Sequence, residues 1–513
     1  MKKFIMSLIV ITSVFYLVGC TDVDYTESVA ALGLEIEELI PDTINSNFIL
    51  PSKLAYQITY TMDDVVFSDQ FIYKSPVYDQ NKEIKYTISR GKTTQDFIKT
   101  VYVLASYSGE NQTKIYLDLP ILENQISKEE YTQANVRVET MKNGVYGMEH
   151  ETAEAQLRGR GNSTWSVYPK HPYRLRFDKN TSILGMPAAK NYVLLAEFAD
   201  RSFMRNVVVQ KMVSLFNDDI YDLETRYVEL YINNEYRGLY VLTEQVEIHK
   251  NKLFFETLPG VINTGYFLEL DMRLFDQDID PGHFWFVARG YPYEIKDPDP
   301  EDPFYVDAQA AYLADYLSVL DQTLIDRTNY ADYMDVDAWI DYFIIQEFVK
   351  NVDIGFSSVF LYKEKNGVIK PGPLWDFDFA LGNADYIDYG PENWYGVQQY
   401  KNRMFKLMMA IPEIRVKFRD RYMDFHFDVL PEIQMMIEVI SESISTKADA
   451  NFTKWPILNE YWWPTPLEAL QANSFVEQIN YLQSFIELRK AWMYDEVLGS
   501  RYTSGDFSIV DED

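Results

Sequence analysis

The composition of this 513-residue chain argues against nucleic acid as a partner. Its 78 aspartate and glutamate residues outnumber its 47 lysine and arginine residues, so the formal net charge of −31 at pH 7 repels phosphate backbones. With 47% hydrophobic residues, the chain is long enough to bury the cores of two folded domains.

The first twenty residues have the pattern of an export signal. Lys2 and Lys3 precede an apolar run over residues 4–18, which is short for the ~20 residues of a membrane-spanning helix. The run ends in a Leu-Val-Gly-Cys sequence that resembles a bacterial lipobox, and Cys20 is the only cysteine. We predict a lipoprotein signal peptide over residues 1–20, acylation of Cys20, and an exported protein anchored by this lipid to the outer face of the cell membrane. The alternative is an ordinary signal peptide with an incidental cysteine.

Two segments are predicted between the signal and the main domain. Residues 21–42 are acidic and mixed in character, and we predict a tether there. Period-two patterns, such as those over residues 55–60 and 99–104, then recur between turn-rich pieces. They predict a small, Ig-like β-sandwich over residues 43–122. It contains no cluster of catalytic residue types, so we expect a spacer or a binding platform.

The character of the chain changes after residue 120. Strand and hairpin patterns are followed by longer helical patterns, notably over residues 338–351 and 475–495. They predict a second domain, of the α+β class, over residues 126–498. Two irregular segments are also predicted, a rigid proline-rich loop at residues 297–303 and a polar, acidic tail at residues 499–513.

The segment from residue 351 to residue 378 can bring carboxylates together. It reads as a helix end, a loop, a hairpin with an Asn-Gly turn and an acidic turn, so Asp376 should return to the neighbourhood of Asp353. Phosphoryl transfer needs one carboxylate to orient or deprotonate the acceptor hydroxyl and others to hold divalent cations. Asp353 suits the first role, and Asp376 and Asp378 suit the second. The alternative is that these are ordinary turn residues, because turns are rich in aspartate.

A basic cluster lies earlier in the chain. Arg160 belongs to an Arg-Gly-Arg-Gly-Asn-Ser-Thr-Trp sequence, and the alternating strand over residues 170–177 puts Arg174 and Arg176 on one face. These cations could converge on a polyphosphate. The alternative is a solvated strand face, or structural ion pairs with Asp178, Glu197 or Glu244. Neither a complete GxGxxG sequence nor a Walker A motif is present.

These motifs resemble those of the CotH kinase family, which includes spore-coat proteins. The similarity is collinear over residues 136–382 and continues through the helices to about residue 498. The matching motifs lie at residues 158–165, 170–177, 184–187, 192–196, 205–206, 228–231, 238–240, 243–244, 265–271, 372–378 and 382–383.

The resemblance implies a highly diverged protein-kinase-like domain that binds ATP with Mg²⁺ or Mn²⁺. Such a domain would phosphorylate serine, and to a lesser extent threonine, in exported or cell-surface proteins. It also implies Asp353 as the catalytic aspartate and Asp376 as the metal aspartate, with Asn351 and Asp378 as supporting metal ligands. No oligomeric state follows from it.

For the ATP phosphates the resemblance favours Lys170, Arg174 and Arg160, with Glu244 or Glu269 pairing with the lysine. Family members often have Lys-Lys-Pro-Tyr where this chain has Lys-His-Pro-Tyr from Lys170 onward. If the second position supplies the ATP lysine, this departure impairs activity. The competing interpretation is therefore a catalytically inactive surface adhesion or assembly protein that has kept the fold.

Overall fold

A computed structural model describes residues 24–44, 48–63, 65–67, 70–71, 76, 80–104, 113–139, 152–217, 219–398 and 401–507. Cys20 and the predicted signal peptide lie outside these residues. Most of the described residues up to Val103 form one compact unit, and those from Leu104 onward belong to a second. Within the described part of the chain, no helix combines the length and apolarity needed to cross a membrane.

The N-terminal unit is a β-sheet with a helix packed on it. Its elements are α1 (Thr26–Leu39), β1 (Thr43–Ile44), β2 (Phe48–Ile49), β3 (Gln57–Met62), β4 (Val65–Phe67), β5 (Gln70–Phe71), β6 (Gln80–Arg90) and β7 (Thr93–Val103). Five strands pair in the order β1-β7-β6-β3-β4, and β2 pairs separately with β5. The core of the unit joins Val29, Leu32 and Ile36 of α1 to the buried side chains of β6 and β7.

Two predictions for this unit are corrected by the structure. The tether predicted over residues 21–42 is a packed helix from Thr26 to Leu39, because Val29, Leu32 and Ile36 recur at helical spacing and bury one face. The described strands of this unit form one five-stranded sheet and a separate two-stranded sheet, so the predicted Ig-like sandwich is not confirmed. A period-two pattern identifies strands with one buried face, but it does not reveal whether a second sheet or a helix covers that face.

The second unit begins with a closed barrel. Its seven strands are β8 (Lys114–Asp118), β9 (Thr132–Glu139), β10 (Thr152–Gly159), β11 (Tyr173–Thr181), β12 (Ala189–Leu195), β13 (Thr225–Ile232) and β14 (Glu235–Glu244). They close in the order β10-β11-β12-β14-β13-β8-β9. In β11, Leu175 and Phe177 are buried in the barrel core, whereas the neighbouring Arg176 is exposed. The predicted alternation of this strand is therefore confirmed.

The barrel also moves the predicted boundary between the domains. Strand β8 lies within the predicted first domain, residues 43–122, yet it pairs with β9 and β13. The second unit therefore includes residues 114–118, which the prediction assigned to the first domain. Sequence pattern missed this because β8 has the same alternation as the strands of the N-terminal unit.

A second sheet and a group of helices complete the unit. The sheet has the order β16-β17-β15-β18-β19 and contains β15 (Tyr266–Leu270), β16 (Trp285–Ala288), β17 (Tyr291–Asp297), β18 (Val359–Lys363) and β19 (Ile369–Pro371). The helices are α2 (Ser163–Ser166), α3 (Arg205–Phe216), α4 (Asp307–Asp326), α5 (Val336–Phe348), α6 (Arg403–Met409), α7 (Pro412–Asp424), α8 (Leu430–Lys454), α9 (Leu467–Gln471), α10 (Phe475–Leu498) and α11 (Ser500–Ser504). The two predicted helices are confirmed as α5 and α10, and the predicted hairpin as β18 and β19.

The predicted acidic tail is partly folded. Residues Ser500–Ser504 form α11, and the buried hydroxyl of Tyr502 donates a hydrogen bond to the carbonyl oxygen of Arg415 (2.7 Å). Tyr502 and Phe507 both pack on the ring of Trp394. These aromatic contacts explain why a segment of polar composition is ordered against the helices.

A buried ion pair joins two of these helices. Arg489 of α10 lies 2.8 Å from a carboxylate oxygen of Glu347 in α5, and both side chains are 0% exposed. The same carboxylate accepts hydrogen bonds from the backbone N–H groups of Tyr395 (2.6 Å) and Gly396 (2.6 Å). The pair therefore fixes the end of α5, from which the chain continues to Asp353.

We expect Arg489→Met to lower the free energy of unfolding by about 3–5 kcal/mol, because it leaves a buried carboxylate without its cation. The measurement is urea unfolding of the full chain, followed by the fluorescence of tryptophans such as Trp492, which lies against Arg489. The control is Arg419→Ala, which removes an exposed partner of Asp420 and should change the free energy by less than about 0.5 kcal/mol. Equal effects of the two substitutions would contradict this role for the buried pair.

Candidate active site

A cavity of about 830 Å³ lies in the second unit, between the ends of barrel strands and the second sheet with its neighbouring loops. Its lining includes six charged side chains that the sequence singled out or that lie in a matching motif: Arg160, Lys170, Glu269, Asp353, Asp376 and Asp378. Glu269 lies in a strand, and the other five residues lie in loops that follow or precede a strand or that follow α5. The fold therefore brings widely separated parts of the chain to one polar cavity.

The β18–β19 hairpin brings two carboxylates to this cavity. Asp353 follows α5, and its backbone N–H donates to the side-chain oxygen of Asn351 (3.1 Å). Asp376 follows β19 with a φ of 72° and accepts a hydrogen bond from the hydroxyl of Ser358 (3.2 Å). Burial, with the negative charge of Asp376, raises the pKa of Asp353 to about 7. Asp376 is thus close enough to Asp353 for its charge to act on that carboxylate.

Asp378 adds a third negative charge. Its pKa is raised well above the ordinary value, first by burial and then by the charges of Asp376 and Glu197. In the described residues, no group of three or more acidic, histidine or cysteine side chains is arranged to hold a metal ion. Magnesium, however, is commonly bound by one or two carboxylates together with substrate phosphates and water. Asp376 and Asp378 fit that type of site, since each lines the cavity.

The loop that contains Asp376 and Asp378 is held by Arg205 of α3. Arg205 is buried and pairs with Asp200 (2.5 Å), while its Nε and Nη2 atoms donate to the carbonyl oxygens of Ala380 (2.9 Å) and Leu381 (3.3 Å). These contacts satisfy carbonyl groups that no regular element pairs. They fix the backbone that follows Asp378.

Glu197 is a cavity residue to which the sequence analysis gave no catalytic role. The side chain of Asn206 donates to both of its carboxylate oxygens (3.1 and 3.4 Å) and accepts from the backbone N–H of Phe377 (2.9 Å). Burial and the charge of Asp200 raise the pKa of Glu197 to about 8. A signal was available, because Glu197 directly follows the matching motif at residues 192–196.

Lys170 faces the cavity from the segment that precedes β11. Its ammonium group donates to the carbonyl oxygen of Leu239 (2.5 Å) and the side-chain oxygen of Asn451 (2.9 Å), and it lies 4.5 Å from the ring centroid of Tyr240. Burial lowers the pKa of Lys170 well below its usual range, whereas the charge of Glu197 acts in the opposite direction. Glu197 is therefore the carboxylate whose charge acts on this lysine.

The predicted pairing of Lys170 with Glu244 or Glu269 is wrong. Glu244 lies 3.7 Å from Lys252 and accepts from the hydroxyl of Tyr221 (2.9 Å). Glu269 lies 3.3 Å from Lys296. Of the two carboxylates, only Glu269 lines the cavity. The partners of the two glutamates come from other strands and loops, so the sequence motifs did not reveal these pairs.

His171 lies outside the cavity lining. Its ring stacks on Trp165 with a centroid distance of 4.2 Å, while Lys170 and Pro172 on either side line the cavity. The alternation of an extended segment explains this arrangement. The departure from Lys-Lys-Pro-Tyr therefore does not remove a cation from this cavity.

Arg174 and Asn351, which were predicted to bind phosphate and metal, do not line the cavity formed by the described residues. Arg160 lines the cavity next to the ring of Trp375, but Arg174 lies farther along the outside of β11. The side chain of Asn351 is occupied, because it donates to Gln346 (2.8 Å) and accepts from the backbone of Asp353. Asn351 is placed to position the aspartate rather than to reach a metal ion.

The rest of the lining near Asp353 is aromatic and basic. Lys401 donates to the hydroxyl of Tyr395 (3.0 Å), which in turn donates to the carbonyl oxygen of Val352 (3.2 Å). The charge of Arg273, which pairs with Asp271, opposes the rise in the pKa of Asp353. The sequence analysis missed these residues.

Ser358 was also missed, although a spacing rule could have found it. It lies five residues after Asp353 and lines the cavity. In protein kinases a metal-binding asparagine follows the catalytic aspartate at this distance. Here the position holds a hydroxyl that donates to Asp376.

Comparison with known proteins agrees with the motifs quoted above. Residues 157–493 match the family model described as CotH kinase protein. The matched range includes every cavity residue discussed here, and it confirms the family predicted from the sequence. No curated protein matches the chain.

Glu244 gives a test of the electrostatics beside this site. Burial raises its pKa to about 7, above the ~4.3 of an unfolded chain. The folded state therefore holds this proton more tightly, and its contribution to stability, complete below about pH 4, is lost as the pH rises to about 7. We expect Glu244→Gln to flatten this dependence, so that its free energy of unfolding gains up to roughly 3 kcal/mol relative to wild type between pH 4 and pH 8.

The measurement is urea unfolding at several pH values in that range. The control is Glu235→Gln, which changes an exposed carboxylate at the other end of β14 and should leave the pH dependence as it is in wild type. Parallel stability curves for wild type and Glu244→Gln would contradict the expectation.

Proposed function

This chain belongs to the CotH kinase family, and from that premise we propose that its second unit is an ATP-dependent protein serine kinase. The observation that carries the proposal is the convergence of Asp353, Asp376 and Asp378 with Arg160 and Lys170 on one cavity. Carboxylates supply metal ligands and a hydroxyl acceptor, and cations bind phosphate. Phosphoryl transfer needs both kinds of group.

Asp353 would act on the acceptor. The hydroxyl oxygen of a serine attacks the γ-phosphorus of ATP, the bond to the β-phosphate oxygen breaks, and ADP leaves. Asp353 orients the hydroxyl and takes its proton, and a pKa raised to about 7 suits a base near neutral pH. The hydrogen bond from its own N–H to Asn351 holds the aspartate's backbone for this task.

Asp376 and Asp378 would hold Mg²⁺ or Mn²⁺, which neutralises phosphate charge during transfer. Ser358 orients Asp376 through their hydrogen bond, and the contacts of Arg205 hold the loop behind Asp378. Both carboxylates are half-buried, and the charge of Asp376 acts on Asp378, so a bound cation would also relieve repulsion between them.

Arg160 is the best-placed residue for direct contact with the phosphates. The charges of Asp376 and Asp378 act on it across the cavity, so a phosphate between them would meet the arginine and the metal together. The charge of Glu197 acts on Lys170, which would bind phosphate in exchange for the buried hydrogen bond that its ammonium group donates to the carbonyl oxygen of Leu239 (2.5 Å). Exported or cell-surface proteins are the proposed substrates.

We expect Asp353→Ala and Asp376→Ala each to reduce phosphate transfer by at least about 10²-fold, for different reasons. Asp353→Ala removes the group that orients the acceptor and should keep nucleotide binding, whereas Asp376→Ala removes a metal ligand and should also weaken it. The measurements are radiolabel transfer from ATP to a generic acceptor, and the rise in melting temperature on addition of ATP with Mn²⁺. The matched control is Asp385→Ala, an exposed aspartate of the same loop.

Full transfer by either folded aspartate variant would overturn the assigned roles. An inactive wild type, tested with both Mg²⁺ and Mn²⁺, would favour the assembly-protein interpretation instead.

We also propose that the protein is exported and anchored to the outer face of the cell membrane through a lipid on Cys20. The support is the sequence of the first twenty residues, with a basic start, an apolar run and a lone cysteine. We expect labelled palmitate to enter the wild-type protein and the control Thr21→Ser, but not Cys20→Ser, which should leave the membrane fraction. Labelling of Cys20→Ser would contradict the proposal.

A further inference from the structure

Three arginines lie together on the outside of the barrel, beside the cavity. Arg158 of β10 pairs in register with Arg174 of β11, and Arg176 lies two residues farther along the same face. The guanidinium groups of Arg158 and Arg176 lie 4.9 and 5.7 Å from the ring centroid of Tyr131. Arg158, Arg174 and Arg176 are called the arginine cluster below.

Within the part of the chain that the structure describes, the arginine cluster has no counter-ion in direct contact. Among the described residues, no carboxylate lies within 4.0 Å of any of its three guanidinium groups, although Glu247 acts on Arg174 from a greater distance. The buried Nε atoms of Arg158 and Arg174 also have no hydrogen-bond acceptor there. Other arginines of this acidic chain are neutralised, as Arg403 is by Asp321 at 2.6 Å. The Nη1 atom of Arg158 donates to the carbonyl oxygen of Lys128 (3.5 Å). The other guanidinium nitrogens of half-buried Arg158 and Arg174 and of exposed Arg176 are the donors that an anion could reach.

The arginine cluster lies outside the proposed ATP site but close to it. Its members are not part of the cavity lining formed by the described residues. Arg160 does line the cavity, and the charge of Arg174 acts on it. Burial lowers the pKa of Arg174, and the charges of Arg158 and Arg176 act in the same direction. An anion bound there would relieve the repulsion among the three cations.

We propose that the arginine cluster binds a phosphate group already present on a protein substrate, so that phosphorylated segments dock beside the cavity. This inference rests on the proposed function, whose product is a phosphoserine. A phosphate dianion presents three acceptor oxygens, which match several guanidinium groups better than a single carboxylate does. A membrane headgroup could offer the same chemistry, but the position of the arginine cluster next to Arg160 of the cavity favours a phosphorylated segment of a protein substrate.

The test uses the full chain carrying Asp376→Ala, so that turnover does not alter the ligand. Its affinity for a fluorescent phosphoserine peptide, measured by anisotropy, should exceed that for the unphosphorylated peptide by at least roughly tenfold. Adding Arg174→Ala and Arg176→Ala together should weaken phosphopeptide binding by a similar factor, and Arg176→Lys should weaken it less. The matched control is Arg137→Ala, which removes a barrel arginine that stacks on Tyr116.

Unchanged phosphopeptide binding in the double variant would overturn the inference. So would equal loss of binding in the Arg137→Ala control, or cluster-dependent binding to vesicles containing anionic lipid in place of the peptide. Exposed Arg176 can be changed alone with little risk to folding, so Arg176→Ala keeps the test decisive if the double variant does not fold. If the wild type binds the phosphopeptide but transfers no phosphate, only the proposed kinase function is contradicted. If the wild type is active but its binding does not depend on the arginine cluster, only this inference is contradicted.

Discussion

Two buried arginines hold the irregular backbone on which the aspartates of the cavity lie. Arg205 donates to carbonyl groups behind Asp378, and Arg489 joins the end of the helix before Asp353 to a neighbouring loop. Irregular segments leave carbonyl oxygens without partners, and arginine offers five donors in a fixed plane to satisfy them. Each buried cation in turn needs an anion, which is Asp200 for Arg205 and Glu347 for Arg489. These pairs therefore add to the local hydrogen bonds of Asn351, Ser358 and Asn206 in fixing the segments that carry the aspartates.

The cavity itself is electrostatically unfavourable as it stands. Asp353, Asp378 and Glu197 all have raised pKa values because they are buried near other negative charges. Like charges buried close together lower stability and are typical of functional sites. The barrel contributes the opposite charge, since Arg160 and Lys170 approach the same cavity from its strand ends. Charges of both signs reach the cavity from both sides, because Glu197 follows barrel strand β12 and Lys296 lies in β17 of the second sheet.

The sequence predicted those features that depend on local pattern. An Asn-Gly turn between two short strands was enough to place Asp376 near Asp353, and alternation was enough to orient β11. Pairings that depend on register between distant strands were not predictable, and Glu269 meets Lys296 only because β15 and β17 lie side by side. The covering of the N-terminal sheet by α1 was missed for a related reason, because a buried strand face does not specify the element that buries it.

Closure of the barrel has a consequence for self-association. A closed sheet has no unpaired edge, so its strands offer no template on which another chain can form a β-ladder. The N-terminal sheet is different, because it ends at β4, where Val65 and Val66 are exposed. The second sheet is also open, with β16 and β19 at its edges, but β4 combines an edge position with exposed valines. A lysine or proline introduced into β4 should therefore reduce strand-to-strand association at that edge.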